Sequence, residues 1–246
     1  MVAAPDDAAE TNRAAWNAGR YEAWVDAIGA PAAEAAKLVA DPRFKLRRLL
    51  PHLGDVARTR IVSIQGSNGR VAVALALLGA EATVIDFGQE NRRYALELAA
   101  AAGVAIDYRL GDVIEADTLG LAPFDAVVLE LGVLHYHQDL DRFFAVMAGL
   151  AATGGVLLIN EFHPVERKLF QPGAPGDYFL SEPVLGDVPD PTGAGRQLGQ
   201  CVLRFWTLGE IVTAVIGAGF RVARLEEHPG WTDATIPGTF TLVASR

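Results

Sequence analysis

Residues 60–79 read RIVSIQGSNGRVAVALALLG. Arg60–Ile64 is a short, β-branched apolar run that predicts a strand, and Gln65-Gly66-Ser67-Asn68-Gly69 is a glycine-bearing turn. Arg70–Leu78 is apolar on nearly every side, which predicts a buried helix stopped by Gly79. A buried strand that turns directly into a buried helix is half of a βαβ unit. Strands joined in this way line up in parallel and build an open α/β sheet.

The same order repeats downstream. Ala82–Ile85 predicts a second strand ending at Asp86, and Gln89–Ala102 a helix stopped by Gly103. Ile106–Leu110 is the third strand, followed by Gly111-Asp112; Asp125–Leu129 is the fourth, with Asp139–Ala151 as its helix. Gly154-Gly155 turns the chain into a fifth strand, Val156–Asn160. Glu161–Trp206 is a stretch of about 45 residues, rich in Pro and Gly and without periodicity, and loops of that length are functional or disordered. Thr207-Leu208-Gly209-Glu210 is a capping box that opens a helix to about Ile216, and the strands Phe220–Glu226 and Thr239–Ala244 close the chain. The expected fold is α/β, a doubly wound, mostly parallel seven-stranded sheet. Upstream, residues 1 to about 10 read as a frayed tail. Thr11–Leu53 is helical, with Trp16, Tyr21, Trp24, Val25 and Ile28 apolar, and Pro31, Pro42 and Pro51 cut it into several helices. The expected division is a helical N-terminal cap over 1–54 and an α/β domain over 55–246.

Bulk properties narrow the function. A chain of 246 residues, 51% hydrophobic, can bury one large core. A net charge of −9 argues against a nucleic-acid partner, because affinity for phosphates needs clustered Lys and Arg. The basic cluster Lys45, Arg47 and Arg48 falls in a helical pattern and reads as a solvated face. The single Cys201 excludes an internal disulfide and a paired-cysteine metal knuckle. The histidines and carboxylates lack compact ligand spacing, so no metal is expected. The start, MVAAPDDAAE, has no basic-then-apolar leader, and no apolar run reaches the ~20 residues that span a bilayer. A cytoplasmic protein with no membrane partner is expected; its oligomeric state is left open, a homodimer included.

In an open parallel sheet, ligands sit beyond the carboxyl ends of the strands, where the strand order reverses. Gln65–Gly69, Asp86, Asp112 and Glu130–Tyr136 all fall at such ends. An ionised Asp86 can accept both hydroxyl hydrogens of an adenosine ribose, or cap the next turn. A nicotinamide dehydrogenase would want Gly-x-Gly-x-x-Gly after the first strand, which Gln65–Arg70 does not supply.

Residues 55–246, five βα units followed by a helix and two strands, resemble the class I S-adenosylmethionine (SAM)-dependent methyltransferases. Gly66-Ser67-Asn68-Gly69-Arg70, Glu130-Leu131-Gly132-Val133-Leu134-His135-Tyr136 and Glu161-Phe162-His163-Pro164 carry a closer likeness to bacterial small-molecule members with a helical N-terminal cap. The resemblance implies SAM as methyl donor, S-adenosylhomocysteine as product and a small-molecule acceptor. It places Ser63, Gln65, Gly66, Ser67 and Gly69 at the methionine part, Asp86 at the ribose and Phe87, Asp112 and Val113 at the adenine. Glu130 can bind the ammonium or the substrate, and Tyr21 closes over the cofactor. Ser63 stands where the family has an acid, and Gln65 and Ser67 where it has its first two glycines; Gln65 can offer an amide oxygen instead.

His163, His135 and Glu130 are the candidate catalytic groups, the histidines because imidazole titrates near working pH. His137, Tyr178, Arg204 and Trp206 are candidates for substrate contact, and Glu161–Trp206 with the N-terminal cap is expected to form a lid. His52 and His228 read as incidental. Whether the acceptor reacts through O, N or C stays open, as does the need for a base. The rival readings are a non-catalytic SAM-binding regulator and, further off, an NAD-dependent dehydrogenase.

Overall fold

The computed structural model describes residues 5–171 and 173–246. Five helices come first: α1 (Pro5–Trp16), α2 (Arg20–Ile28), α3 (Pro31–Ala40), α4 (Pro42–Lys45) and α5 (Leu50–Leu53). Proline stands in the first turn of α3, α4 and α5, where its missing N–H is no loss. Asp41 caps α4 by accepting the Phe44 N–H at 3.0 Å. Helix α1 begins at Pro5, inside the stretch expected to be a tail; residues 1–4 lie outside the described part. Its order comes from tertiary packing of Ala8, Asn12 and Ala15, which are buried, and local pattern does not reveal that contact.

The α/β part follows as β1 (Arg60–Ile64), α6 (Arg70–Leu77), β2 (Glu81–Asp86), α7 (Gln89–Ala102), β3 (Asp107–Leu110), β4 (Phe124–Glu130), α8 (Leu140–Leu150) and β5 (Ala151–Phe162). Then come β6 (Val184–Asp187), β7 (Gln200–Leu203), α9 (Leu208–Gly217), β8 (Arg221–Pro229) and β9 (Pro237–Ser245). Seven strands form one sheet in the order β3-β2-β1-β4-β5-β9-β8. Strands β1 to β5 run parallel, and β9 lies antiparallel to both β5 and β8. The order reverses between β1 and β4, which opens the ligand crevice beyond their carboxyl ends. Both faces are covered, so β1 and β4 are almost wholly buried. Phe143, Phe144 and Met147 of α8 pack on one face with Ile211 and Val215 of α9; Leu75, Tyr94 and Leu98 pack on the other with Leu38 of α3.

Strand β1, helix α7 and the Thr207–Glu210 capping box fall where the sequence puts them. Strand β5 starts five residues earlier than its apolar run, at Ala151: Ala151 pairs with Phe124, Gly154 turns at φ 77, and pairing resumes at Val156 with Ala126. The stretch Glu161–Trp206 is not a plain loop. It contains a helical turn at Glu166–Phe170 and the antiparallel hairpin β6–β7. Val188, Leu198, Cys201 and Leu203 from this region share a small core with Ala15 and Ala23. The hairpin therefore packs on α1 and α2.

Candidate functional site

The turn after β1 takes a left-handed backbone at two residues that are not glycine. Gln65 and Ser67 have φ of 47° and 48°, a left-handed conformation that costs a residue with a Cβ roughly 1–2 kcal/mol. Gly66 has no room for a side chain: a Cβ there would stand 2.8 Å from Ser63 Oγ and 3.0 Å from Val84 Cγ1. Gly69, at φ 75°, packs instead on α7, where a Cβ would meet Ala95 Cβ at 2.5 Å. Gly66 and its neighbours thus face the crevice, and Gly69 fits the turn against the helix.

Asp86 closes β2 at 6% exposure. Its carboxylate accepts the Ser67 N–H at 3.0 Å and the Gly88 N–H at 2.7 Å, and burial holds its pKa above the usual carboxylate value. Two N–H partners leave acceptor capacity for a ligand. A cavity of about 270 Å³ opens here. Ser63, Gln65–Asn68, Asp86, Phe87 and Glu130–Gly132 form its sheet side, with Trp16, Trp24, Lys45 and Tyr136 across from them. A second cavity of about 300 Å³ adjoins it, shares Gln65, Phe87 and Tyr136, and reaches Asp112, Ile114, His137 and Gln138. Asp112 caps the turn beyond β3 through the Ile114 N–H at 3.0 Å while facing this second cavity; the Val113 side chain is in the core.

The segment after β4 is fixed by one residue. Glu161, 3% exposed, accepts the N–H groups of Gly132 (2.6 Å), Val133 (2.7 Å), Leu134 (3.2 Å) and Phe162 (2.7 Å). Leu131 before them has φ 47°. Three successive N–H groups converging on a carboxylate form a backbone nest, and that nest presents Leu131 and Gly132 to the first cavity.

The histidines separate. His137 borders the second cavity with Nε2 3.2 Å from Gln65 Oε1, and burial lowers its pKa to about 3, so it is neutral. His135 is buried against Tyr136 and Phe205 and held neutral by the same desolvation. His163 lies 2.8 Å from Glu227 Oε1 through Nε2, and its Nδ1 accepts the Val165 N–H at 3.1 Å. That pattern ties the end of β5 to β8. Among the described residues, His135 and His163 do not line either cavity, so neither stands where a catalytic role was expected.

Several other expected contacts fall elsewhere. The Tyr21 hydroxyl bonds to Glu97, and its ring packs on Tyr94, away from both cavities. The Tyr178 hydroxyl accepts the Leu208 N–H at 3.2 Å. Arg204 stacks 3.8 Å over Trp206 and donates to the Gln138 carbonyl at 3.0 Å. Trp206 Nε1 donates to the Leu134 and His137 carbonyls, both at 3.2 Å. Arg204 and Trp206 brace the 134–138 turn from behind by donating to its backbone carbonyls.

Four contributors carry no motif. Trp16 and Trp24 line the first cavity, and the Arg20 guanidinium lies 4.3 and 4.7 Å from their rings, buried enough to lower its pKa to about 10. Lys45 belongs to the cluster read as a solvated face; instead its ammonium pairs with Glu130 at 2.8 Å, with a side chain only 19% exposed.

A methyltransferase domain family model matches residues 63–159. The ubiquinone biosynthesis O-methyltransferase of Methylobacterium nodulans is 30% identical over 162 residues, which cover 66% of this chain and 59% of that one. The enzyme of the same name from a Caulobacter species is 31% identical over 121 residues, 49% of this chain and 48% of that one. The chain thus spans between 48% and 59% of the length of these two relatives. The crystal structure of a SAM-dependent methyltransferase from Mesorhizobium loti matches with a TM-score of 0.62 and 24% identity, over 85% of this chain and 100% of that one. The 1,6-didemethyltoxoflavin-N1-methyltransferase of Burkholderia thailandensis, solved with 1,6-didemethyltoxoflavin and S-adenosylhomocysteine, matches with a TM-score of 0.61 and 18% identity, over 100% of this chain and 92% of that one. Likeness at these identities is likeness of fold.

Proposed function

We propose that this chain, whose residues 63–159 match a methyltransferase domain model and whose fold is that of SAM-dependent methyltransferases, is an enzyme that moves a methyl group from SAM to a small-molecule acceptor. The observation that carries this reading is the cradle at the strand-order reversal. There the closely fitted Gly66 backbone and the buried Asp86 carboxylate face one cavity, and a second cavity continues it past Phe87.

The residues present fit the cofactor. The two adjoining cavities share Gln65 and Phe87, which suits one elongated ligand. The Ser67 hydroxyl and the Gln138 amide, each beside a cavity, have no hydrogen-bond partner among the described residues. In this reading Ser63, Gln65, Gly66 and Ser67 hold the amino-acid part, Asp86 the ribose hydroxyls, and Phe87 with Asp112 the adenine. Bound SAM supplies an electrophilic methyl group on a sulfonium for in-line displacement. The protein's part is to align the acceptor and exclude water. Trp16 and Trp24, with the hairpin β6–β7 behind α1 and α2, cover the cavity as cap and lid. Glu130, which shares the cavity wall with Asp86, is our candidate to accept a proton from the acceptor; His137 faces the second cavity as a neutral hydrogen-bonding group.

Calorimetric titration with SAM, S-adenosylhomocysteine and NADH tests the reading. Binding of the first two and not the third is expected, and binding of NADH alone overturns it. S-adenosylhomocysteine release with a panel of small acceptors separates an enzyme from a SAM-binding regulator. Among the described residues, no helix is long and apolar enough to cross a membrane.

A further inference from the structure

A third cavity, of about 600 Å³, lies behind the common wall formed by Lys45, Arg70, Glu130 and Leu131, which also line the cofactor cavity. Asn160 of β5 and Thr239 of β9 border it at the sheet, and Phe44 and Trp231 stand at its edge. These two aromatics are 65% and 71% exposed, so each leaves a large apolar ring uncovered beside the same opening. The chain is strongly acidic, yet five cations line this cleft: Lys37, Lys45, Arg47, Arg48 and Arg70.

Its carboxylates are already engaged. Glu34 pairs with Arg70 at 2.6 Å and with Lys37 at 2.8 Å, Glu130 pairs with Lys45, and Asp41 caps α4. Arg47 and Arg48 have no carboxylate partner among the described residues. Arg47 is positioned by its ring contact with Phe44 at 4.5 Å and by donation to the Phe44 carbonyl at 2.9 Å. Arg48 lies 3.5 Å from His228 Nδ1. A side chamber of about 230 Å³ shares both arginines and adds His52, Arg224 and His228. Glu226 also borders it, paired with Arg224 at 2.8 Å.

Resting on the methyltransferase reading, we infer that this cleft is the acceptor site and that it takes an organic anion with a flat apolar body. Arg47 and Arg48 bind the carboxylate, sulfonate or phosphate, and Phe44 and Trp231 flank the body. The reacting end reaches the Lys45–Glu130 wall. Guanidinium groups suit such anions because their planar fork matches two oxygens at once. A cationic cleft in an acidic protein also focuses anions toward itself.

Two fluorescent probes of nearly equal shape test this: 8-anilinonaphthalene-1-sulfonate, an anion, and N-phenyl-1-naphthylamine, which is uncharged. Each is titrated into the full chain and into the Arg47→Gln/Arg48→Gln variant, and S-adenosylhomocysteine affinity is measured on both proteins. The anion should bind wild type at least about tenfold more tightly than the neutral probe, as expected for a charge-assisted contact, and the variant should lose that preference. S-adenosylhomocysteine affinity should be the same in both, because neither arginine lines its cavity. Equal affinity for the two probes in wild type, or an undiminished preference in the variant, overturns the inference. Failure of wild type to bind S-adenosylhomocysteine while the anion preference persists would instead remove the methyltransferase reading and leave the anion site standing.

Discussion

The Ser67 N–H donates to Asp86 Oδ2 at 3.0 Å, so the end of β2 holds the turn that follows β1. The same carboxylate is placed to meet a ligand and to fix the loop beside it. Ser67 needs such a hold because it has φ 48° where a glycine would rest unstrained. One hydrogen bond thus joins the left-handed Ser67 backbone to the aspartate that ends β2.

Asp86→Ala should weaken S-adenosylhomocysteine binding by roughly ten- to a hundredfold, the effect of losing one charge-assisted hydrogen bond, and calorimetry reads it directly. An unchanged dissociation constant in a folded variant would mean the ligand lies elsewhere. A pH comparison checks the electrostatics. Burial raises the folded pKa of Asp86, so its stabilising contribution is complete below the unfolded value of 3.8 and is lost as pH rises through the folded value. Wild type should therefore gain Tm relative to the non-titrating Asp86→Asn as pH falls from neutral. A difference independent of pH would contradict this.

His137 carries the opposite sign. Its folded pKa is lowered to about 3 by burial, from 6.5. The stability from keeping it neutral is present above 6.5 and is lost as pH falls toward the folded value, at up to about 1.4 kcal/mol per pH unit. Urea unfolding between about pH 7.5 and pH 5 should show a steeper loss in wild type than in His137→Gln. Parallel slopes would show that His137 is hydrated and titrates freely.

Glu161→Gln replaces an oxygen that accepts backbone N–H groups with an amide NH₂ that opposes them. Leaving buried donors unpaired costs about 1–3 kcal/mol each, so a clear drop in Tm is expected, with faster amide exchange confined to 132–134. Because Leu131 and Gly132 wall the cavity proposed to take the cofactor, S-adenosylhomocysteine affinity should fall as well. Exchange that quickens uniformly across the sheet would show a general destabilisation, not a loop held by Glu161.

The sequence made the sheet legible because its signals are local: an apolar run, a glycine turn and an almost wholly apolar helix sit within twenty residues of each other in 60–79. Asp86 and the Gln65–Gly69 turn were legible for the same reason, since strand ends mark the crevice. The far wall was not. Trp16, Trp24 and Lys45 reach the site from helices packed across it, with Arg20 packed on both tryptophan rings, and nothing near them in sequence says so. His163 misled because its place after β5 suggested the crevice, whereas its ring turns to Glu227 of β8. The hairpin β6–β7 was hidden by strands of four residues each, divided by a Pro- and Gly-rich run.

His163→Ala follows from that correction. With Nε2 toward Glu227 and Nδ1 bonded to the Val165 N–H, His163 is a tether. Its removal should lower stability by about 1–3 kcal/mol and leave kcat on any accepted substrate within a few-fold. A loss of turnover by ~10²–10⁴ with unchanged Tm would restore it as an acid–base group.

Asn12 is the latch between the first helix and the hairpin. Its side chain accepts the Val202 N–H at 2.8 Å and donates to the Val202 carbonyl at 3.1 Å, so it pairs with β7 as a neighbouring strand would. Asn12→Ala leaves both backbone groups of Val202 without partners at a buried position, at roughly 1–3 kcal/mol for each. Trp16, four residues further along α1, is a wall of the first cavity, where we propose the cofactor binds, and Gly199 just before β7 fits against Ala15. Loosening the latch should therefore free the hairpin and the tryptophan together. Amide exchange should quicken in 198–204 and in α1 while α7 stays protected, and S-adenosylhomocysteine should bind more weakly through faster release. Adding S-adenosylhomocysteine to wild type should in turn slow exchange in the hairpin, which lines neither cavity and packs on the helices that carry Trp16 and Trp24. A variant with a loosened hairpin and unchanged ligand affinity would break that coupling and leave the cap a passive cover.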